Sequence, residues 1–449
     1  MADIMEVNQT LLVELIDKHQ VKKIRELFDD YNIVDLAEIV GELTLAEALF
    51  VFKVLRKNKS GELFSYLQLT KQEKLIELLT SDEIKGILDN LYSDDIMEFM
   101  EELPPILVKK ILASVSKEKR DVINNLLLYK EDSCGSIMNI DYVELDSNAT
   151  IAQAMESIKK QRNIAESISY GYVVYMGKLV GIISLRDIIL APEDAKLSDE
   201  MDTDFVSVMT NQDQNEAIDL IKKYDLTMIP VVDEMYELVG VITVDDVIDA
   251  MEEEDTEDIH KMAAMRPIEG SYMETSPLKI SFSRLPWLLI LMVSAAVSEV
   301  IITKNSNLIV ALPALSYFIP MLMDTAGDAG SQSAAMVIRG MVVDGIGLRD
   351  FFTVFWKELR VALICGLAMF TANFIRVLLT MPSVDMQINI VSSLTLCFII
   401  VIAKLIGGIL PLLASLIKMD PAVMAAPLIA TACDAVSLTL YFLLASFVV

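Results

Sequence analysis

Charge and hydropathy divide this chain into two unlike parts, and that division constrains its fold more than any single motif. Residues 280–449 carry nine Lys or Arg and nine Asp or Glu, so the formal net charge of −28 belongs entirely to residues 1–279. The mean hydropathy of the whole chain is nevertheless positive. The sequence therefore predicts an acidic, water-exposed part followed by a neutral, membrane-embedded part, and 449 residues allow roughly three domains.

Composition and the first residues argue against several classes of protein. Nucleic-acid phosphates would repel the acidic part, so we expect no nucleic-acid partner, whereas cations would be attracted. The four cysteines lack paired or metal-type spacing and predict neither a disulfide nor a zinc site. Two histidines, no nucleophile constellation and no phosphate loop give an enzyme no support. Since the opening MADIMEVNQT has no basic or apolar leader region, we expect no signal peptide and a cytosolic first part.

The acidic part itself shows two kinds of pattern. Residues 1–130 place apolar positions three and four apart in successive short runs, which predicts an all-α helical superhelix. Residues 131–250 contain an internal repeat, in which MNIDYVELDSNATIAQAMESIKK from Met138 is matched by MDTDFVSVMTNQDQNEAIDLIKK from Met201. Each copy reads strand, helix, two strands, helix. The pair resembles a tandem CBS module, an α/β fold.

Two patterns in this region carry candidate chemistry. Ser184-x-x-Asp187 and Thr243-x-x-Asp246 resemble the turn that holds a ribose in some CBS domains, which makes a nucleotide such as ATP a weak candidate ligand. Residues 245–258, DDVIDAMEEEDTED, hold nine carboxylates and no Lys or Arg. They form either a solvated face of a connecting helix or a site for a divalent ion such as Mg²⁺, whose preferred ligands are oxygens. Candidate partners for such a bridge are Asp94, Asp95, Glu98 and Asp420.

Five apolar stretches of membrane length follow a linker that ends near residue 279. They lie at 285–303, 308–343, 357–380, 388–416 and 421–447. Five spans with a cytosolic start place the end of the chain outside the cell membrane. Most basic residues then fall on the inner side, as the positive-inside rule requires: Lys279, Arg284, Arg339, Arg349, Lys357, Arg360 and Lys418, against Lys304 and Arg376 on the outer side.

Asp434, near the middle of the last stretch, is the strongest candidate functional residue. A carboxylate inside a membrane costs a few kcal/mol or more, so it normally faces a pore or an ionic partner. The alternative to a pore is an ion pair with Lys404 or Arg376.

The second stretch contains DTAGDAGSQS, and we expect its helix to be broken there. Irregular polar backbone at membrane depth indicates a pore lining, contributed by Asp324, Asp328, Gln332 and Ser333. The alternative is close helix packing through the small residues Gly327 and Gly330.

Together these features resemble the MgtE magnesium transporters over essentially the whole chain. The resemblance depends on the domain order and on VDDVIDAMEEEDTEDIHK, FIPMLMDTAGDAGSQSAAMVIRG and DPAVMAAPLIATACD. It implies a homodimer whose subunits have a helical N domain (1–130), a tandem CBS module (131–250), a plug helix and linker (251–279) and a five-helix transmembrane domain (280–449). It also implies a pore along the dimer axis between the second and fifth membrane helices.

The resemblance further implies roles for individual residues. The pore aspartate of the family matches Asp434, a pore-lining carbonyl matches Ala430, and Thr431 lies beside it. The regulatory magnesium ligands of the family match a set of acids in the cytosolic part and one loop: Asp94, Asp95, Glu98, Asp213, Asp225, Asp246, Asp249, Glu254, Glu257, Asp258 and Asp420. Two positions depart from the family pattern, since Asp328 stands where Asn is common and Ala426 stands where members can carry Asn.

The sequence is thus interpreted as a magnesium channel of the cell membrane that cytosolic Mg²⁺ closes by bridging the acidic regions. The sequence also allows two alternatives. One is a cation-coupled magnesium exchanger, in which Asp328 adds a monovalent-cation site. The other is a nucleotide-sensing CBS protein whose membrane helices only anchor it.

Overall fold

The computed structural model describes residues 2–101, 103–162, 165–268, 272–273, 275–417, 419–424 and 426–447. The chain forms two compact units, Met1–Glu252 and Glu253–Val449. The first unit contains the helical region and the sequence repeat, and the second contains the apolar helices.

The first unit begins with short helices that stack in layers. Each of several helices packs on the helix two positions further along the chain, which produces the predicted superhelix. Local capping explains the boundaries, since Thr44 with Glu47 and Thr80 with Glu83 form capping boxes. The helices are α1 (Ala2–Asp17), α2 (Val21–Asp30), α3 (Ile33–Glu42), α4 (Leu45–Val54), α5 (Lys57–Ser65), α6 (Leu69–Leu78), α7 (Ser81–Leu88), α8 (Ser93–Glu101), α9 (Pro105–Ser114) and α10 (Lys117–Leu126).

The repeat folds as two similar α/β units, as predicted. In each three-stranded sheet the first strand pairs parallel with the second, and the second pairs antiparallel with the third. A register shift falls at equivalent points, Val173/Val174 and Val231/Val232. The elements are β1 (Glu144–Asp146), α11 (Ile151–Gln161), β2 (Tyr170–Tyr175), β3 (Lys178–Ser184), α12 (Leu185–Leu190), α13 (Leu197–Glu200), β4 (Val208–Met209), α14 (Gln214–Tyr224), β5 (Met228–Val232), β6 (Leu238–Thr243) and α15 (Val244–Met262).

The helix α15 belongs to both units, because the boundary between them falls inside it. Val247 and Ala250, in its first half, are buried in the core of the second CBS-like unit. Met262, in its last turn, packs against the core of the apolar helices. One continuous helix therefore connects the acidic part to the apolar part.

The second unit is built from long apolar helices. Its elements are α16 (Pro277–Lys304), α17 (Ser306–Ala311), a 3₁₀ helix (Pro313–Tyr317), α18 (Ile319–Val343), a 3₁₀ helix (Leu348–Asp350), α19 (Phe351–Thr380), α20 (Met386–Leu416), a 3₁₀ helix (Pro421–Met424) and α21 (Ala426–Ala445). By length and composition, four helical segments in the described residues could cross a membrane: Pro277–Lys304, Leu348–Thr380, Met386–Leu416 and Pro427–Ala445. The fifth long helix, α18, has 25 residues but contains more polar side chains.

The predicted break in the second apolar stretch is wrong. The helix α18 runs unbroken through the segment DTAGDAGSQS, and the irregular backbone lies earlier, between residues 312 and 318. Glycine disfavours a helix by about 1 kcal/mol relative to alanine, but packing against neighbouring helices outweighs that preference here. The small residues therefore serve close packing, which was the alternative interpretation.

Candidate ion-binding sites

A polar face on α18 is the first candidate site. Asp324, Asp328 and Gln332 are spaced four residues apart and are all exposed, so they lie along one side of the helix. The opposite side, which includes Ala326, Gly330 and Ser333, is buried in the unit. Two carboxylates and an amide are therefore presented outward from a bundle of apolar helices.

The buried side of α18 shows why its glycines are needed. A Cβ atom added at Gly330 would lie 2.6 Å from Cγ2 of Ile429 and 3.3 Å from the carbonyl oxygen of Ala403. One added at Gly327 would lie 3.1 Å from Cβ of Ala430. Because these glycines have no side chains, the buried side of α18 lies directly against α20 and α21. This close packing brings the edge of the polar face of α18 near the residues of α21.

Asp434 on α21 is partly exposed and lies within electrostatic range of Asp324. Ala430 and Thr431, one turn earlier, are also partly exposed, and the Thr431 hydroxyl donates to the carbonyl of Pro427 at 3.0 Å. The structure thus brings together the polar residues predicted on the second and last apolar helices.

The predicted alternative for Asp434, an ion pair, is not formed. Among the described residues, Asp434 lies in no ion pair with Lys404 or Arg376. The ammonium of Lys404, which is 6 % exposed, donates instead to Oε1 of Gln332 at 3.4 Å. Arg376 donates to Oδ1 of Asn373 at 2.8 Å. Both basic residues therefore donate to amide oxygens and not to the Asp434 carboxylate.

Glu358 on α19 was missed by sequence reasoning. Its Oε2 accepts a hydrogen bond from the hydroxyl of the buried Ser333 at 2.7 Å. A Cβ at Gly408 would lie 2.8 Å from its Cγ, so α20 also packs closely against this side chain. Ser333 was predicted to line the pore, but the structure places it on the buried side of α18, facing Glu358.

A second group of acids lies in the first unit and is organised by Asn139, which is 0 % exposed. The Asn139 amide nitrogen donates to Oδ2 of Asp94 at 3.0 Å and to Oε2 of Glu166 at 2.6 Å. Its amide oxygen accepts from the hydroxyl of Ser93 at 2.8 Å and from the backbone N–H of Asp141 at 2.6 Å. One neutral side chain therefore holds two carboxylates and joins α8 to the CBS-like region.

Burial and mutual repulsion raise the pKa values of the acids around Asn139. Burial, with the charge of Asp94 second, raises the pKa of Asp95 to about 7 and that of Glu166 to about 7. The same two causes, in the same order, raise the pKa of Asp246 to about 8. The pKa of Asp94 is also raised, chiefly by burial. A cation bound among these carboxylates would favour their ionised forms.

Part of this acidic group was predicted and part was not. Asp94, Asp95 and Asp246 were candidate metal ligands, while Glu98 is exposed on the same helix as Asp95 and adds to its negative surroundings. Neither Asn139 nor Glu166 was predicted. Glu166 lies in a loop with no periodicity, and an isolated Asn next to Ile140 has no sequence signal for a buried hydrogen-bonding centre.

Asp213 and Asp225 are the N-cap and C-cap residues of α14. Asp213 caps its first turn by accepting from the backbone N–H of Asn215 at 3.0 Å. Asp225 ends the helix in the left-handed conformation with φ of 51°. They are separated by the length of the helix, roughly 18 Å at 1.5 Å per residue. These two predicted ligands therefore cannot share one ion within this chain.

A third acidic group lies at the end of α15, within the second unit. The ammonium of Lys261 lies 2.7 Å from Oδ2 of Asp420 and 3.0 Å from Oε2 of Glu257. Burial, followed by the charge of Asp420, raises the pKa of Asp258 to about 6. The structure thus brings together three of the predicted regulatory acids, and it adds a lysine that was not predicted to take part.

The two candidate nucleotide turns differ in their surroundings. Ser184 caps α12, its hydroxyl accepting from the backbone N–H of Asp187 at 3.1 Å, and Asp187 is exposed beside Arg186. Asp246 accepts from the backbone N–H of Thr243 at 3.0 Å, but it lies among Asp94 and Glu166. An open cleft adjoins the first turn and is lined by Ser169, Tyr170, Ser184, Leu185, Arg186, Ile189, Leu190 and Thr227. A phosphate would be repelled at the second turn.

The donors gathered at these sites are oxygens, which suit Mg²⁺ and Ca²⁺ rather than softer metals. In the part of the chain that the structure describes, no group of three or more His, Cys, Asp or Glu is close enough to hold a metal ion. Mg²⁺ keeps several of its waters, so a hydrated ion fits these loosely spaced carboxylates better than a bare one.

Models of known protein families match four segments of the chain. Residues 31–132 match a model for the MgtE intracellular N domain, and residues 134–194 and 197–253 match CBS domains. Residues 319–444, which hold the polar face of α18 and Asp434, match a model for the MgtE divalent cation transporter. The chain belongs to the MgtE family.

Curated relatives extend the match across most of the MgtE chain. The magnesium transporter MgtE of Thermus thermophilus is 35 % identical over 338 residues, which is 75 % of this chain and 74 % of the relative. The magnesium transporter MgtE of Bacillus subtilis is 34 % identical over 336 residues, covering 74 % of this chain and 73 % of the relative.

Two solved structures resemble part of this MgtE-family chain. The soluble part of a magnesium transporter is 29 % identical with a TM-score of 0.53, covering 56 % of this chain and 99 % of that chain. The cytosolic domain of the Mg²⁺ channel MgtE in complex with ATP is 30 % identical with a TM-score of 0.51, covering 54 % and 99 %. This protein is accordingly a transporter of the MgtE family and not an enzyme.

The departures from the family pattern fall in different surroundings. Asp328 is exposed on the polar face of α18, where it adds a carboxylate one turn from Asp324. Ala426, the other departure, begins α21, but its side chain lies outside the described residues.

Proposed function

We propose that this MgtE-family chain forms a homodimeric channel that conducts Mg²⁺ across the cell membrane and that cytosolic Mg²⁺ closes. The observation that carries the proposal is the partly exposed Asp434, free of any ion pair with Lys404 or Arg376, beside the outward polar face of α18. The names of the related magnesium transporters support Mg²⁺ as the ion.

The polar face of α18 supports a dimer. Exposed carboxylates at membrane depth are stable only against protein or water, because lipid cannot solvate them. A second copy, related by a two-fold axis, would bring two such faces together and enclose a polar path. The proposed pore residues are Asp324, Asp328, Gln332, Ala430, Thr431 and Asp434.

Ion recognition would then take place through the hydration shell. Two Asp434 carboxylates, one from each subunit, attract a divalent cation, and the neighbouring hydroxyl and carbonyl groups of α21 hydrogen-bond to its waters. Because Mg²⁺ loses water reluctantly, this outer-shell recognition suits it. The exposed Asp328 adds charge to the same face.

The acids of the cytosolic part are proposed as the sensor. At low Mg²⁺ they repel one another, and at high Mg²⁺ ions bind between them and favour a compact, closed arrangement, which shifts a two-state equilibrium by differential affinity. The proposed regulatory residues are Asp94, Asp95, Glu98, Asp213, Asp225, Asp246, Asp249, Glu254, Glu257, Asp258 and Asp420. Asp213 and Asp225 would act at separate ions because they lie at opposite ends of one helix.

ATP is proposed as a second ligand of the CBS module. The cleft beside Ser184 and Asp187 offers a ribose partner and a nearby guanidinium at Arg186, and a related cytosolic domain was solved with ATP. Asp246, at the equivalent turn, is not proposed to bind nucleotide, since Asp94 and Glu166 would repel the phosphates. Asp187→Ala should weaken ATP binding in calorimetry by about tenfold, the effect of one charge-assisted hydrogen bond, while Asp246→Asn should not.

The proposed arrangement in the membrane places the start of the chain in the cytosol and its end outside. The domains are proposed to span residues 1–130, 131–250, 251–279 and 280–449. Five helices, α16, α18, α19, α20 and α21, would cross the membrane of the cell and contact its lipids. Labelling of single cysteines introduced at the two ends, in sealed cells, tests this orientation.

Magnesium flux into proteoliposomes tests the central proposal. We expect the purified protein to carry Mg²⁺ down its gradient without a sodium gradient, and Asp434→Ala to abolish the flux. Asp344→Asn, an exposed acid just past the end of α18, is the matched control and should keep normal flux. Flux that requires a sodium gradient would instead favour an exchanger, and undiminished flux in a correctly inserted Asp434→Ala protein would refute the pore.

A further inference from the structure

The contact between Lys261 and Asp420 joins the end of the connecting helix to the segment that leads into the pore helix. Asp420 uses both carboxylate oxygens, since Oδ1 accepts from the backbone N–H of Ala422 at 2.8 Å and Oδ2 meets Lys261 at 2.7 Å. The 3₁₀ helix that it caps is followed directly by α21. Lys261 therefore contacts a residue that lies fourteen positions before Asp434 in the chain.

The same end of α15 is also tied to the first apolar helix. The backbone N–H of Arg266 donates to the carbonyl of Ser283 on α16 at 3.2 Å, and Met262 packs on the apolar core. Lys261 thus sits in a segment held at several points against the second unit. Its ammonium lies where α15 and the loop before α21 meet.

Negative charge dominates around this ammonium. Glu257 and Asp420 contact Lys261 directly, and Asp258 interacts with both Asp420 and Lys261. Among the described residues of this group, Lys261 faces three carboxylates. Its ammonium lies between Glu257 and Asp420, which we propose as ligands of regulatory Mg²⁺.

We propose that Lys261 is a built-in counter-ion that competes with Mg²⁺ for Glu257 and Asp420. In the absence of the metal, Lys261 bridges the two acids and holds part of the closed arrangement. When Mg²⁺ binds, it displaces the ammonium, which turns toward solvent. The proposal depends on the regulatory role of these acids, and it adds that the sensor contains its own competing cation.

A competing lysine and a purely structural lysine predict opposite changes in the Mg²⁺ concentration needed for closure when Lys261 is removed. Without Lys261, the closed state loses a contact that exists at zero Mg²⁺, so the channel opens more often there. The same acids are then more negative and free of a competitor, so they bind Mg²⁺ more tightly. A lysine that only stabilised the closed fold would raise the Mg²⁺ needed for closure on removal.

The test uses the full-length protein in liposomes and compares wild type with Lys261→Gln. Two quantities are measured: the open probability at zero cytosolic Mg²⁺, and the Mg²⁺ concentration that half-protects the α15 segment from protease. We expect the open probability to rise and the half-protecting concentration to fall about threefold to fivefold, the scale of one partly exposed ion pair.

Two control variants accompany this test. Lys261→Arg keeps the charge and should behave as wild type, which also shows that the position tolerates substitution. Lys160→Gln removes the lysine of an exposed pair with Glu156, at the same four-residue spacing, and should shift neither quantity.

The outcomes distinguish a failure of the regulatory Mg²⁺ site from a failure of the competition by Lys261. A wild-type protein without any Mg²⁺ dependence of protection would overturn the regulatory site itself. A wild-type protein that responds to Mg²⁺, with a Lys261→Gln variant whose half-protecting concentration is unchanged or higher, would overturn the competition and leave the site intact.

Discussion

Asp434 in the apolar unit and Asp246 in the acidic unit are both carboxylates outside the ion pairs of the described residues, but their surroundings differ. Asp246 is held by Thr243 and lies in a group organised by the buried Asn139. Asp434 is partly exposed on a helix whose neighbour presents Asp324 outward.

This difference distinguishes two uses of the same side chain. The group around Asn139 is held within one chain by hydrogen bonds to its carboxylates. The group around Asp434 is incomplete, because a charged face among apolar helices needs a partner that the single chain does not supply. In the proposed channel, the first group would change shape when it binds a cation, and the second would let an ion pass.

The largest expected effect is on Mg²⁺ flux, and it distinguishes the proposed pore role of Asp434 from the proposed sensor role of Asp246. Asp434→Asn should abolish Mg²⁺ flux, because the pore loses its central charge. Asp246→Asn should leave maximal flux intact and change only its dependence on cytosolic Mg²⁺. Flux measured across a range of cytosolic Mg²⁺ checks both. Equal loss of maximal flux in the two variants would remove the distinction.

The next effect tests whether Asn139 organises the group of acids formed by Asp94, Asp95, Glu166 and Asp246. Asn139→Asp replaces a donor with a charge among buried acids and should lower the free energy of unfolding of the first unit, residues 1–252, by about 2–4 kcal/mol. Thermal unfolding in Mg²⁺-free buffer measures this loss. Asn148→Asp adds the same charge at an exposed turn and serves as the control. Similar stabilities of the two variants would show that Asn139 is not central.

The pH dependence of the stability of this first unit follows from the raised pKa values of its acids. Asp95 and Glu166 near 7, and Asp246 near 8, lie above their unfolded values of about 4, so the folded form retains protons that the unfolded form has lost. Their contribution is complete below about pH 4 and is lost as the pH rises through 7 to 8.

Calorimetry from pH 5.5 to pH 8.5 should therefore show stability falling by a few kcal/mol, with other titrating groups held equal by comparison with an Asp95→Asn and Glu166→Gln variant. Mg²⁺ should restore more stability at pH 8.5 than at pH 5.5, where protons already neutralise the acids. A Mg²⁺ effect that does not depend on pH would show that metal and protons act at different places.

The smallest expected effect concerns Asp328. Asp328→Asn restores the commoner family residue and should preserve transport while weakening cation affinity about twofold to fivefold, because one of several nearby charges is lost. Competition between Mg²⁺ and a blocking divalent ion in flux assays measures the affinity. Unchanged affinity would mean that the exposed face of α18 at Asp328 does not meet the ion.

Several features of this protein follow from its sequence with few additional assumptions. The acidic and apolar parts, the repeated α/β unit and the positions of the long helices depend on charge, periodicity and capping, which act over a few residues. Asp434 could be identified because a single carboxylate in an apolar stretch is conspicuous wherever its helix packs.

Tertiary structure decided which residues meet. Asn139 contacts Asp94 and Glu166 from 45 and 27 positions away, and Lys261 meets an acid in a distant loop, so no local pattern contains these contacts. The predicted break in α18 was wrong for the same reason, since glycine weakens an isolated helix while packing against α20 and α21 makes its small size favourable. Local propensity acts along the chain, whereas the sites depend on close approach between segments, which only the folded chain provides.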